Sequence, residues 1–147
     1  MTKQQDFSMW SVNFILFCLA NFLYYGAFYL YIPVLPQYVE MLGGTPADIG
    51  LVGGAFGLSS FIIRPYLGKL ANEWGRKRMM LLGTISFALL FLLFGRVPGV
   101  VPLVVLRLAH GVCLAMYLAA SAAYIADYAP VDRRGEVLGI YQTCSVV

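Results

Sequence analysis

Charge is what this sequence has least of. Asp, Glu, Lys and Arg make up 12% of its 147 residues, against about 25% in soluble globular domains. The shortage is concentrated, because no charged residue occurs in 7–39, 49–63, 79–95 or 108–126. A water-facing surface cannot be covered with so little charge, which excludes an ordinary soluble domain. Histidine is equally scarce, with His110 alone. The three cysteines, Cys18, Cys113 and Cys144, are odd in number and fit no metal-ligand spacing. They read as small buried hydrophobes. With one histidine and no acid inside the apolar stretches, no catalytic constellation is visible, so neither an enzyme nor a metal or other cofactor is expected. The net charge of +3 carries no nucleic-acid signal, since the basic residues gather at the ends of the apolar stretches.

What fills the chain is hydrophobic side chain, at 61%. A helix needs about 20 mostly apolar residues to cross a hydrocarbon core about 30 Å thick, and four stretches approach or exceed that length. The first is too long for a signal-peptide core, and no small-residue cleavage site follows it. Phe17 before Cys18 is a poor lipoprotein context. The expected fold class is therefore all-α, a polytopic membrane bundle. Helices are predicted at 11–35, 46–70, 79–94 and 101–126, with the start of a fifth at 137–147. That last segment reaches only about half way across a bilayer. The chain thus reads as truncated, with a missing C-terminal part of the same protein as an expected partner beside the lipid bilayer.

Local signals mark the boundaries. Trp10, Tyr31 and Tyr38 suit an interfacial aromatic belt. Pro33 and Pro36 are expected to end the first helix. Thr45-Pro46-Ala47-Asp48 reads as a helix start: a cap, a proline at the first helical position, and an acid at the positive end of the dipole. Gly50/Gly54 and Gly53/Gly57 form small-xxx-small pairs that suit close approach of another helix. Pro65 is expected to bend its helix, and Arg64 to reach back to the headgroups.

Lys and Arg set an orientation. With a cytoplasmic N-terminus, Lys3, Lys69, Arg76, Lys77, Arg78, Arg133 and Arg134 fall inside and Arg96 alone falls outside. Arg64 and Arg107 lie within helices. Loops 71–78 and 127–136 are then cytoplasmic, and the location is the cell's inner (plasma) membrane.

The stretch Gly68-Lys69-Leu70-Ala71-Asn72-Glu73-Trp74-Gly75-Arg76-Lys77-Arg78 resembles the signature loop of the major facilitator superfamily, G-x-x-x-D-x-x-G-R-[RK]. Gly68, Gly75, Arg76 and Lys77 match in type and spacing, between the second and third helices as in the family. Asn72 departs from it, being uncharged where the family has an acid. Glu73 is adjacent but about 100° away on a helix. Arg107-Leu108-Ala109-His110-Gly111 is similar to the R-x-x-x-G of the family's fourth helix. Asp127, Pro130, Arg133, Arg134, Gly135 and Gly139 resemble its loop between helices 4 and 5.

The resemblance covers the whole chain. It implies five of the six helices of an N-terminal half, in a fold that works by alternating access. It also implies that the loop bearing Gly75 acts as a conformational gate. A small-molecule substrate is implied, with protons as a candidate second partner. An exporter of drugs or metabolites is the branch expected first; an uptake permease for sugars or organic acids, or a non-transporting subunit, is the alternative. In proton-coupled relatives the helix 4 arginine is associated with proton transfer. Here no acid occurs in 49–126 except Glu73. His110, one turn from Arg107, is the candidate relay, weighed against a hydrogen-bonding core histidine. Arg107 itself is expected to face a partner or a wet cavity, because a mid-helix arginine costs on the order of 3 kcal/mol in lipid. Asn21, Tyr25, Phe28 and Tyr29 share one helical stripe. With Tyr117 they are candidate lining of a transport path, against ordinary interhelical packing.

Overall fold

The computed structural model describes residues 11–146, so Lys3, Trp10 and Val147 lie outside the described residues. Six α-helices occur among them, with no strand: α1 (Val12–Tyr31), α2 (Val34–Met41), α3 (Pro46–Trp74), α4 (Arg76–Leu93), α5 (Val100–Tyr128) and α6 (Arg134–Val146). Single 3-10 turns occupy Phe94–Arg96 and Val131–Arg133. Four segments are long and apolar enough to cross a membrane: Val12–Tyr31, Pro46–Trp74, Arg76–Arg96 and Val100–Tyr128. Their outward residues are oily. Leu30, Phe61, Leu92 and Val101 are each more than 70% exposed, a surface that calls for lipid as solvent.

Several boundaries differ from those the sequence predicts. The first helix does not reach Leu35: α1 stops at Tyr31 and the chain turns through Ile32-Pro33 into the short α2. Pro36 does not terminate anything. It is the third residue of α2, where a missing N–H costs nothing because first-turn amides have no helical acceptor. The segment 71–78, expected as a loop, is helical on both sides of Gly75, since α3 runs to Trp74 and α4 opens at Arg76. Gly75 has φ +88°, a left-handed conformation a side chain rarely adopts, and this one residue makes the whole break. The segment 127–136 is likewise shorter as a loop, because α5 continues to Tyr128 and α6 begins at Arg134.

The chain divides into two compact units. One comprises the residues through Tyr31 together with Ala122–Val147. Its core is Phe14, Ile125, Ala129, Val137 and Tyr141, with Phe17, Cys18, Tyr128 and Leu138 packed against it. The Phe14 and Tyr128 rings stack, and Ser11 Oγ lies 2.6 Å from the Tyr128 hydroxyl.

The other unit is Ile32–Ser121. Its entry into α3 is a capping box. Asp48 Oδ2 accepts from the Thr45 amide at 2.7 Å, and Thr45 Oγ1 accepts from the Asp48 amide. Leu67 and Ala71 of α3, Met79 of α4, and Ala115 and Ala120 of α5 form its apolar core. Pro65 sits inside α3 without ending it. Small residues decide where α5 packs. A Cβ at Gly83 would lie 3.0 Å from the Tyr117 amide nitrogen and 3.1 Å from the Cys113 carbonyl oxygen. One at Gly111 would collide with Ser59 Oγ and the Phe56 carbonyl oxygen. By contrast, Gly50, Gly53, Gly54 and Gly57, expected to receive a neighbour, have nothing within 4 Å among the described residues. Nor does Gly68, which lies within α3 and not at its end.

Candidate functional site

The most demanding group in the Ile32–Ser121 unit is Arg107. It is the eighth residue of α5, in an otherwise uncharged stretch, and is only 3% exposed. It does not reach out to the headgroups. Its Nε donates to the Val52 carbonyl oxygen on α3 at 3.4 Å, and the guanidinium lies over the Phe56 ring, 4.3 Å from the centroid. Val52 and Phe56 are four residues apart, so both partners come from one stripe of α3. A guanidinium stays protonated in proteins. This packing therefore keeps a positive charge between two apolar helices, supported by a carbonyl dipole and the negative face of a ring. Gly111, one turn on, makes it possible: without a Cβ, α5 settles onto α3 at Phe56 and Ser59. The R-x-x-x-G spacing is thus one packing unit, an arginine that grips α3 and a glycine that lets it come close.

His110 faces the other way, toward α4. It is fully buried, with Nε2 3.2 Å from the Phe87 carbonyl oxygen. Its ring centroid is 4.0 Å from that of Phe87, 5.2 Å from Phe94 and 6.3 Å from Phe91. Nδ1 is buried without a hydrogen-bond partner. Tyr117, two turns further along α5, is also buried, beside Gly83.

At the ends of the helices the motif residues are exposed. Asn72, Glu73 and Lys77 face outward, with Arg76 half-buried. Asp127, Arg133, Arg134, Gly135 and Gly139 are exposed too, with Pro130 half-buried. Arg133 donates to Glu136 at 2.9 Å, and this carboxylate beside it raises the Arg133 pKa above its ordinary value. Such an exposed pair contributes little to stability.

In the other unit, the stripe of Asn21, Tyr25, Phe28 and Tyr29 splits. Asn21 and Phe28 are buried, Tyr25 is half-buried and Tyr29 is 43% exposed. Asn21 points at α6, its Nδ2 donating to Ser145 Oγ at 2.6 Å and approaching the Tyr141 carbonyl at 3.4 Å. A shallow cleft lined by Asn13, Phe14, Phe17, Tyr124, Ile125 and Tyr128 encloses essentially no volume, far below the roughly 300 Å³ at which drug-sized sites begin.

The family described as Major Facilitator Superfamily matches residues 17–147. The chain belongs to this superfamily. It is therefore a multi-pass membrane protein. Among curated relatives, it is similar to the quinolone resistance protein NorA of Staphylococcus aureus, 34% identical over 110 residues, which are 75% of this chain and 28% of that protein. It is 32% identical over 110 residues to multidrug resistance protein 2 of Bacillus subtilis, with the same shares. An MFS-type transporter of Methanocaldococcus jannaschii is 30% identical over 111 residues, 76% of this chain and 29% of that protein. The chain spans little more than a quarter of the length of these superfamily relatives.

Sequence reading singled out Arg107 and Gly111 but not their partners Val52, Phe56 and Ser59. It also passed over Gly83 and the ring cage of Phe87, Phe91 and Phe94. The cage was readable as an i, i+4, i+7 stripe facing the single histidine.

Proposed function

We propose that this chain is the first part of a secondary exporter of small organic molecules, driven by protons and working by alternating access. The observation that carries this is the likeness, over three quarters of the chain, to superfamily members named for resistance to quinolones and to multiple drugs. The geometry supports it. Arg107 gives the bundle a fixed buried cation over the Phe56 ring, chemistry suited to tuning a proton carrier. The α3–α4 junction, with Gly68, Asn72, Gly75, Arg76 and Lys77, is the proposed gate. Two rigid helices meeting at one left-handed glycine suit a hinge. With a cytoplasmic N-terminus, as the distribution of Lys and Arg suggests, the α5–α6 junction with Asp127, Pro130 and Arg133 is a proposed cytoplasmic anchor at the plasma membrane. His110 is read as a packing residue, because its tethered nitrogen and three phenyl neighbours give a proton no onward path.

Inverted membrane vesicles carrying the full-length protein test this. Accumulation of a fluorescent quinolone that collapses when a protonophore removes the pH gradient is the expected result. Accumulation indifferent to the gradient contradicts proton coupling, and none for any of a panel of amphipathic drugs contradicts export.

A further inference from the structure

Helices α1 and α6 run side by side in the same direction and in register. The Phe17 ring lies 5.8 Å from that of Tyr141. One turn on, Asn21 donates to Ser145 Oγ at 2.6 Å. One turn back, Phe14 shares a core with Val137. Pairing 17 with 141 and 21 with 145 sets Cys18 and Cys144 on the same seam, and the two thiols interact there as neighbours. Both are free and half-buried, and Cys18 packs against the cluster of Phe14 and Tyr141.

The transport reading uses neither thiol. A metal ion needing several protein ligands does not suit the site. No group of three or more His, Cys, Asp or Glu able to hold one occurs among the described residues, whereas structural zinc takes four. Two adjacent thiols in apolar surroundings suit a thiophilic centre that forms two covalent bonds and leaves a neutral product, since burying net charge is costly. Trivalent arsenic bearing one organic group meets that description.

We propose that Cys18 and Cys144 form a dithiol site for trivalent organoarsenic compounds. In the reaction both S–H bonds break and their protons go to the arsenic-bound oxygen, which leaves as water. Two As–S bonds replace the As=O bond, with no change of oxidation state. The product staples α1 to α6.

The probe is phenylarsine oxide, added to the purified full-length protein in detergent and read by intact mass. The expected wild-type result is an adduct of one phenylarsine oxide less one water. It survives an excess of monothiol, is released by a dithiol, and maps to the peptides holding Cys18 and Cys144. Cys18→Ser and Cys144→Ser should each lose it, and Cys113→Ser should keep it. Mapping on the wild type does not depend on any variant folding. An adduct that maps elsewhere, washes off with monothiol, or persists in either the Cys18 or the Cys144 variant overturns the proposal, as does no adduct at all.

Discussion

The Arg107 guanidinium lies over the ring of Phe56 while its Nε holds the carbonyl of Val52, one turn earlier on the same helix. A desolvated cation over a ring contributes about 2 kcal/mol, comparable with the roughly 3 kcal/mol cost of a mid-membrane arginine. The charge is therefore tolerated in this place and few others. Arg107→Ala should abolish transport with a melting temperature close to wild type. Arg107→Lys keeps the charge but loses the planar stack, and should transport at least tenfold more slowly. Phe56→Leu should be destabilised by about 2 kcal/mol. Flux and thermal melts of the full-length protein check all three, and full transport by Arg107→Ala would remove the arginine from the account.

Gly111 is a packing requirement, and its substitution should show as lost stability. Gly111→Val places methyls against Ser59 and the Phe56 backbone and should cost about 1–3 kcal/mol. Gly135→Ala, in the exposed first turn of α6 with nothing within 4 Å, should be neutral or stabilising by up to about 1 kcal/mol. Thermal unfolding in detergent separates the two.

His110 should matter for stability and not for the pH profile. His110→Gln retains an N–H donor for the Phe87 carbonyl but loses the ring that three phenyl groups enclose. The expected cost is about 1–3 kcal/mol, with the pH dependence of flux unmoved. A shifted pH profile would mark the histidine as a proton carrier.

The Thr45 amide and hydroxyl both donate to the Asp48 carboxylate. A charged acceptor strengthens such bonds, and protonating the carboxylate in acid removes that gain. Asp48→Asn should thus melt below wild type at neutral pH, and the gap should close in acid below the usual aspartate range. A gap independent of pH would mean that the carboxylate charge has no part in the cap.

How much of this was legible depended on whether a signal was local. Thr45-Pro46-Ala47-Asp48 and Gly75 act within a few residues, so the cap and the break were readable. The helix-facing assignments were not. In lipid, both faces of a helix can be apolar, so periodicity no longer says which side is inside. The sequence therefore leaves Asn21 open between a path and interhelical packing, and in the structure its amide donates to Ser145. The glycines from Gly50 to Gly57 read as a packing face, yet among the described helical residues it is Gly83 and Gly111 that receive a neighbour. Polar residues at 72 and 73 suggested a loop, but charged side chains end a membrane span without ending its helix, and α3 runs on to Trp74.

The central claim is that these helices thread back and forth through a bilayer, and sidedness tests it most directly. Met41, 83% exposed, precedes α3, and exposed Lys77 follows it. The 29 residues of α3 put its ends about 43 Å apart. Met41→Cys and Lys77→Cys in the full-length protein, against the unmodified parent, should take up a membrane-impermeant maleimide from opposite sides, Met41→Cys in intact cells and Lys77→Cys only in inverted vesicles. Labelling of both from the same side would contradict the account.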